Sequence, residues 1–183
     1  MPSLDLRVEA QSGVSGSRDA AGQRTVLSIR GAGGARYGAS TLTAPELAID
    51  SIVDERGRRS VRLTSPGPTH TQGTLTDGRP FELDTAGGLW LERGPEGFRV
   101  GRAEGVELDV RGGEPLVARA DTLLDFTEEP LAFVAQGSVR FASQEGEGSA
   151  ERLQVAGSEH VALWGAPGEP ARLDVEDGWL EAQ

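Results

Sequence analysis

Side chains suited to catalysis at neutral pH are scarce in this chain. Histidine occurs only at His70 and His160, and cysteine does not occur. His70 lies in the turn-rich stretch TSPGPTHTQG, and His160 begins the apolar run HVALW. A Ser-His-Asp triad needs a serine held on a sharp turn beside the base, and the sequence has no G-x-S-x-G motif. We interpret both histidines as surface or sheet-edge residues and expect no enzymatic activity.

Metal-binding and cofactor motifs are also missing from the sequence. There is no H-x-H, no H-E-x-x-H and no cysteine pair, and the acidic clusters Glu128-Glu129 and Glu145-Gly-Glu147 lack the spacing of a calcium loop. The 29 acidic residues leave glycoside hydrolysis by a carboxylate pair open. Most of them alternate with apolar residues, however, and are expected to face solvent. We therefore expect neither a metal nor a cofactor.

Length and charge narrow the class of protein further. The chain has 183 residues, enough for one domain with a core of its own, and its formal net charge is -11. That negative charge argues against a nucleic-acid partner, because such binding depends on a positive surface. No apolar run is long enough to span a bilayer, and the first ten residues lack the basic and apolar regions of a signal peptide.

Alternation of apolar and polar residues is the dominant pattern and predicts β-strands. Examples are Leu4 to Glu9, Phe81 to Asp84, and Val106 to Val110. Each run has one apolar and one polar face, which is typical of an antiparallel sheet with one wet side. Glycine-rich turn signals such as Asp77-Gly78 and Gly112-Gly113 separate the runs, as consecutive hairpins require. Only residues 44–50 could form a helical turn.

A short internal repeat, Ala-x-x-Leu, is predicted to open a strand four times. It occurs at Ala44/Leu47, Ala86/Leu89, Ala120/Leu123 and Ala150/Leu153. The spacing is irregular, which favours a meander of stacked strand pairs over a solenoid with fixed coils. We expect a single domain over residues 1–183, regular in 65–183 and less regular in the strands of 1–64. The proline-containing stretch 64–73 is the weakest point between these parts.

Residues 118–182 resemble the OstA-like family of periplasmic lipopolysaccharide-transport proteins, of the LptA and LptC type. The resemblance rests on the ordered segments ADTLLDF (120–126), VAQGSVRF (134–141), GSAERLQV (148–155), VALWG (161–165) and LEA (180–182). Two departures are Ser138, where the family commonly has asparagine, and Ala166 before Pro167, followed by a longer insert.

The resemblance implies an all-β fold, a twisted, partly open antiparallel β-jellyroll built as an open slot of stacked hairpins. It also implies a periplasmic location, with any leader or membrane anchor absent from this sequence. Family members shelter the acyl chains of lipopolysaccharide in the slot and join other β-jellyroll proteins, or copies of themselves, by edge-strand addition. The expected edges here are residues 4–10 and 171–182.

Alternating apolar residues are the candidates for the lipid-binding surface. An open apolar face can bind part of an acyl chain, since each buried methylene contributes about 0.8 kcal/mol. The same side chains could instead fill a closed core, and the sequence leaves that open. The candidates are Leu83, Leu89, Leu91, Val106, Leu108, Leu124, Phe126, Phe133, Val139, Phe141, Leu153, Val155, Leu163 and Leu173.

Two other functions fit the same pattern. Repeated strands with exposed edges are also expected of a self-assembling structural β protein, such as a filament subunit. A sugar-binding β-sandwich is the third possibility. It is disfavoured because the three tryptophans, Trp90, Trp164 and Trp179, lie in or beside strands, where packing is the expected role.

Overall fold

A computed structural model gives the fold of the chain. It describes residues 6–10, 13–20, 23–37, 39–53, 59–94, 97–128, 130–157, 160–175 and 178–182. Throughout these residues the secondary structure is β-strand joined by turns, with no helix. The expectation of an all-β protein is confirmed.

Fifteen strands occur in the described residues, and their lengths differ widely. The strands are β1 (Leu6–Ala10), β2 (Val14–Arg18), β3 (Arg24–Tyr37), β4 (Ser40–Val53), β5 (Arg59–Ser65), β6 (Thr69–Thr74), β7 (Pro80–Thr85), β8 (Leu89–Gly94), β9 (Gly97–Val110), β10 (Leu116–Glu128), β11 (Leu131–Ser143), β12 (Gly146–Ala156), β13 (His160–Trp164), β14 (Ala171–Val175) and β15 (Gly178–Ala182). Residues 44–50 lie within β4, so the helical turn that the sequence allowed there does not form. The alanine and leucine there continue the strand on either side of Pro45.

All strands belong to one antiparallel sheet. Its main path runs β1-β3-β4-β5-β8-β9-β10-β11-β12-β14-β15, and β2, β6, β7 and β13 branch from it. The branches arise because a long strand pairs with different partners along its length. The first part of β9 (97–103) pairs with β8, and its last part (106–110) pairs with β7. In the same way β4 pairs with β6 near its start and with β5 towards its end.

This pairing divides the sheet into two layers. The first layer contains β2, β5, β8 and β13, and the second contains β1, β6, β7, β14 and β15, while the long strands contribute one part to each. The layers face each other, because the ring of Phe81 in the second layer lies 5.3 Å from the ring of Phe126 in the first. Apolar side chains alternate inward along both layers and form one continuous core.

Bulges allow the long strands to bend from one layer into the other. The pairing register shifts between Arg30 and Gly33 in β3, and between Gln136 and Val139 in β11. Gly137 has φ +75° and Ser138 has φ +48°, which is the left-handed conformation that a bulge of this kind requires. The bend is therefore encoded by extra residues inside the strands.

The Ala-x-x-Leu repeat marks these bends. In β4, β10 and β12 the motif lies in the middle of a continuous strand, and only Ala86/Leu89 precedes a strand start. The expectation that each copy opens a strand is thus wrong for three copies. All four leucines, Leu47, Leu89, Leu123 and Leu153, are buried just beyond the bend. A small residue followed three positions later by a large one suits such a bend, where a long strand passes from one layer into the other.

The proline-containing stretch 64–73 also spans a bend. It joins β5 in the first layer to β6 in the second. Part of the buried polar surface of this turn is paired, because the Thr69 amide donates to Thr85 Oγ1 at 3.1 Å and the two hydroxyls lie 2.9 Å apart. The buried Thr71 hydroxyl has no hydrogen-bond partner among the described residues. Within residues 1–64, β3 and β4 are each 14 residues long and pair over twelve positions.

Candidate ligand-binding cleft

The fourteen apolar residues selected from the sequence occupy three kinds of position. Eight are buried in the middle of the sheet and fill the core: Leu83, Leu89, Leu91, Val106, Leu108, Phe126, Phe133 and Val139. Five line a cleft at the end formed by the C-terminal strands: Phe141, Leu153, Val155, Leu163 and Leu173. The remaining residue, Leu124, is half-buried and lies outside the core cluster.

A bulge explains why Leu124 differs from its expected position. The register shifts between Leu124 and Thr127, and Asp125 has φ +52°. Leu123 and Phe126 are both buried, so the inward positions are three residues apart instead of two. The assignment of Leu124 to the inner face is corrected to Leu123. Asp125 points outward, where its carboxylate lies 3.2 Å from the Arg99 guanidinium.

The middle of the space between the layers is closed. Phe126 packs between Phe81 and Phe133, and its ring centroid lies 5.3 Å from that of Phe81 and 6.5 Å from that of Phe133. At the rim, Ser40 Oγ donates a hydrogen bond of 2.7 Å to Glu128 Oε1 and joins residues 88 positions apart in the chain. Burial raises the pKa of Glu128, and the hydrogen bond from Ser40 opposes that rise. No ligand can enter here without displacing these contacts.

The C-terminal end, in contrast, is open as far as the described side chains show. A cleft of about 620 Å³ lies between the layers there, within the size range of small-molecule sites. Its walls carry eight large apolar side chains, namely Leu116, Leu131, Phe141, Leu153, Val155, Val161, Leu163 and Leu173. Val161 stands at the mouth with 60% of its surface exposed. The cleft presents more apolar than polar surface to whatever enters it.

Divergence of the last strands accounts for the opening. β12 pairs with β13 through its second part and with β14 through its first part, so the two short strands follow different layers. The segment Gly165–Pro170 connects the two strands at the bend between the layers. An isolated β-bridge between Ala166 and Glu169 closes this turn. Beyond β14 the second layer continues with β15, whereas the first layer ends at β13 among the described strands. One wall of the cleft therefore extends further than the other.

Three cleft residues were not among the sequence candidates: Leu116, Leu131 and Val161. The alternation of apolar and polar residues could have identified two of them. Leu131 precedes Phe133 by two positions, and Val161 precedes Leu163 by two, so each shares the face of a selected residue. Leu116 follows the turn 111–115 and gives no such indication.

The mouth of the cleft is polar and carries more negative than positive charge. Its charged residues are Arg79, Glu114 and Glu145. Arg79 is held in place, because Nε donates to Asp77 Oδ2 at 2.7 Å and a terminal nitrogen donates to the Glu114 carbonyl at 2.7 Å. The Arg79 backbone amide also donates to Asp77 and lowers the pKa of that carboxyl. The arginine charge at the mouth is thus balanced by Asp77.

The residues that might support other chemistry lie outside this cleft. His70 Nδ1 lies 2.8 Å from Asp84 Oδ1 on the outer face of the second layer, beside a concavity lined mainly by threonine, glycine and proline. His160 is exposed at the start of β13. Trp90 and Trp164 lie on the outer face of the first layer, each beneath an arginine guanidinium at 5.2 and 4.9 Å. Trp179 has no described side-chain position.

The described residues contain no group of three or more His, Cys, Asp or Glu side chains placed to hold a metal ion. They also contain no helix of the length and hydropathy that crossing a membrane requires.

Comparison with protein-family models, with curated proteins and with solved structures found no match to this chain. By its fold, the chain belongs to the class of all-β proteins and has one large antiparallel sheet.

Proposed function

We propose that this chain is a non-enzymatic lipid carrier that shelters an acyl chain in the cleft at its C-terminal end. The observation that carries the proposal is a cleft of about 620 Å³ with eight large apolar side chains on its walls. Each methylene removed from water contributes about 0.8 kcal/mol to the free energy of binding, so burial of several methylenes is enough to hold an acyl chain. Binding of this kind needs no catalytic group.

Our proposals for the fold type and for the cellular compartment follow from the sequence resemblance. We propose a partly open β-jellyroll of the OstA-like type, in which the middle is packed and one end remains open. On that basis the protein acts in the periplasm, and lipopolysaccharide is one candidate among acyl lipids. The packed middle limits the bound segment to the end cleft.

A pair of matched variants tests the proposal. Val161 in β13 is 60% exposed, and Val14 in β2, at the other end of the sheet, is 61% exposed. A carboxylate at either position stays in contact with water and should leave folding intact. We expect Val161→Asp to weaken binding of dodecyl maltoside, a neutral acyl probe, by roughly tenfold, because it places a charge beside the bound chain. Val14→Asp should bind as the natural protein does.

Calorimetric titration measures both affinities, and circular dichroism checks the fold. A folded natural protein that binds no acyl probe at micromolar concentration would contradict the proposal. Equal binding by Val161→Asp and the natural protein would place the site elsewhere.

Self-assembly is a second candidate function, and two observations favour it. Among the described strands, β1, β2, β13 and β15 each pair with a single neighbour, so both ends of the sheet offer an edge in each layer. Residues 1–39 hold five arginines and three acidic residues, whereas residues 144–183 hold two arginines and nine acidic residues. Opposite charge at the two ends favours head-to-tail pairing through edge strands.

Sedimentation velocity at increasing protein concentration tests self-assembly in the absence of lipid. Head-to-tail pairing predicts larger species at low salt that dissociate as salt screens the end charges. A monomer at every concentration and salt level would exclude this function and leave the carrier proposal intact.

A further inference from the structure

The charge at the mouth of the cleft indicates which head group its ligand carries. Glu114 lies in the turn between β9 and β10, and Glu145 lies in the turn between β11 and β12. Both side chains are exposed and line the mouth. In the described residues neither carboxylate forms an ion pair, and the nearby Arg79 is committed to Asp77 at 2.7 Å. Two uncompensated negative charges therefore flank the entrance.

The apolar walls of the cleft and the acidic charge at its mouth together fit an amphiphilic ligand. The cleft walls beneath the mouth are apolar, with Leu153 wholly buried and Val155 5% exposed, whereas the mouth is acidic. A bound chain would place its head group at the mouth, because the head remains hydrated while the chain leaves water. A phosphate or carboxylate head would meet like charge there, and an ammonium head would meet opposite charge.

We infer that the end cleft selects an acyl chain with a positively charged head group and disfavours anionic head groups. The inference rests on the proposed carrier function and narrows its ligand class away from the phosphate-bearing head of lipopolysaccharide. The net negative charge of the C-terminal part of the chain also favours a positively charged head group, since residues 144–183 hold nine acidic residues and two arginines.

Three probes with one chain length separate the head group from the chain. They are dodecyltrimethylammonium, dodecyl maltoside and dodecyl phosphate, each titrated calorimetrically below its micelle concentration. At low salt we expect the cationic probe to bind more tightly than the anionic probe by on the order of tenfold. At high salt the ratio should approach one, because a Debye length of about 3 Å at 1 M screens exposed charges.

Matched charge variants show whether the mouth causes the preference. The double variant Glu114→Gln, Glu145→Gln removes two negative charges at the mouth. The control Glu9→Gln, Glu46→Gln removes two exposed charges elsewhere in the sheet and leaves the same net charge. We expect the first variant to lose most of the low-salt preference and the control to keep it. A general attraction of the acidic protein for cations would reduce the preference equally in both.

The outcomes distinguish the two proposals. Equal or tighter binding of dodecyl phosphate at low salt would overturn the head-group inference, and so would equal loss in the two double variants. Either result leaves the carrier proposal standing, provided that dodecyl maltoside binds. If none of the three probes binds to the folded protein, the carrier proposal itself fails.

Discussion

Replacing Phe126 by alanine tests whether the middle of the sheet is a packed core. The Phe126 ring is 1% exposed and lies between Phe81 and Phe133. Phe→Ala at a fully buried site costs about 3–5 kcal/mol, including the cavity left behind. Because rings from both layers surround this position, the cavity has little room to collapse. We expect a loss of about 4 kcal/mol in the free energy of unfolding.

Phe141→Ala is the matched comparison, because Phe141 is 7% exposed and one side of its ring borders the cleft. Truncation there enlarges a space that is already open and creates no new enclosed void. At about 24 cal/mol per Å³, an enclosed void of about 50 Å³ adds about 1 kcal/mol. We therefore expect Phe141→Ala to cost at least about 1 kcal/mol less than Phe126→Ala.

Equilibrium urea unfolding measures both losses. Tryptophan fluorescence and far-UV circular dichroism should give coincident transitions with an unchanged dependence on urea concentration, as two-state unfolding requires. Equal losses at the two positions, or a loss below about 1 kcal/mol for Phe126→Ala, would show that the middle is not closed by these rings.

Two further substitutions test the rim and a bulge. Burial raises the pKa of Glu128 above its unfolded-state value, so the protonated form favours folding. The associated stability is present in acid, below the unfolded-state pKa, and is lost as pH rises through the folded-state pKa. Glu128→Gln should therefore raise the urea midpoint near neutral pH, while keeping an acceptor for Ser40, and give no gain in acid; a gain that did not depend on pH would contradict this. Gly137→Ala should cost about 1–3 kcal/mol in urea unfolding, because φ is +75° and an added Cβ would clash with the Asp121 side chain. Gly168→Ala, with φ +85° and no atom within 4 Å of the added Cβ, isolates the backbone cost, and an equal loss there would mean that the Asp121 contact is unimportant.

Much of the fold could be predicted because alternation reports directly which face of a strand is buried. Leu83, Leu108 and Val139 were selected on that basis and are buried. The method failed at Leu124, because the pairing register shifts on both sides of it, between Arg119 and Thr122 and between Leu124 and Thr127, which makes Leu123 and Phe126 the buried positions. The left-handed conformation of Asp125 at the second shift has no signal in a non-glycine residue.

The division between packed middle and open end could not be predicted from the sequence. Phe133 in the core and Leu163 in the cleft have the same alternating environment in the chain. What separates them is the number of strands beyond each one. Phe133 packs beside Phe126 within the first layer, where Phe81 of the second layer faces Phe126, whereas Leu163 belongs to the last described strand of its layer. That difference depends on pairing across the whole sheet, which local patterns do not contain.

Methyl NMR spectroscopy during titration with dodecyl maltoside tests the central claim most directly, since each leucine and valine reports on its own surroundings. The account predicts shifts at Leu131, Val161, Leu163 and Leu173 in the cleft, and unchanged signals from the fully buried Leu108. Shifts centred on Leu108 and its neighbours in the middle of the sheet, or no shifts at any methyl group, would contradict it.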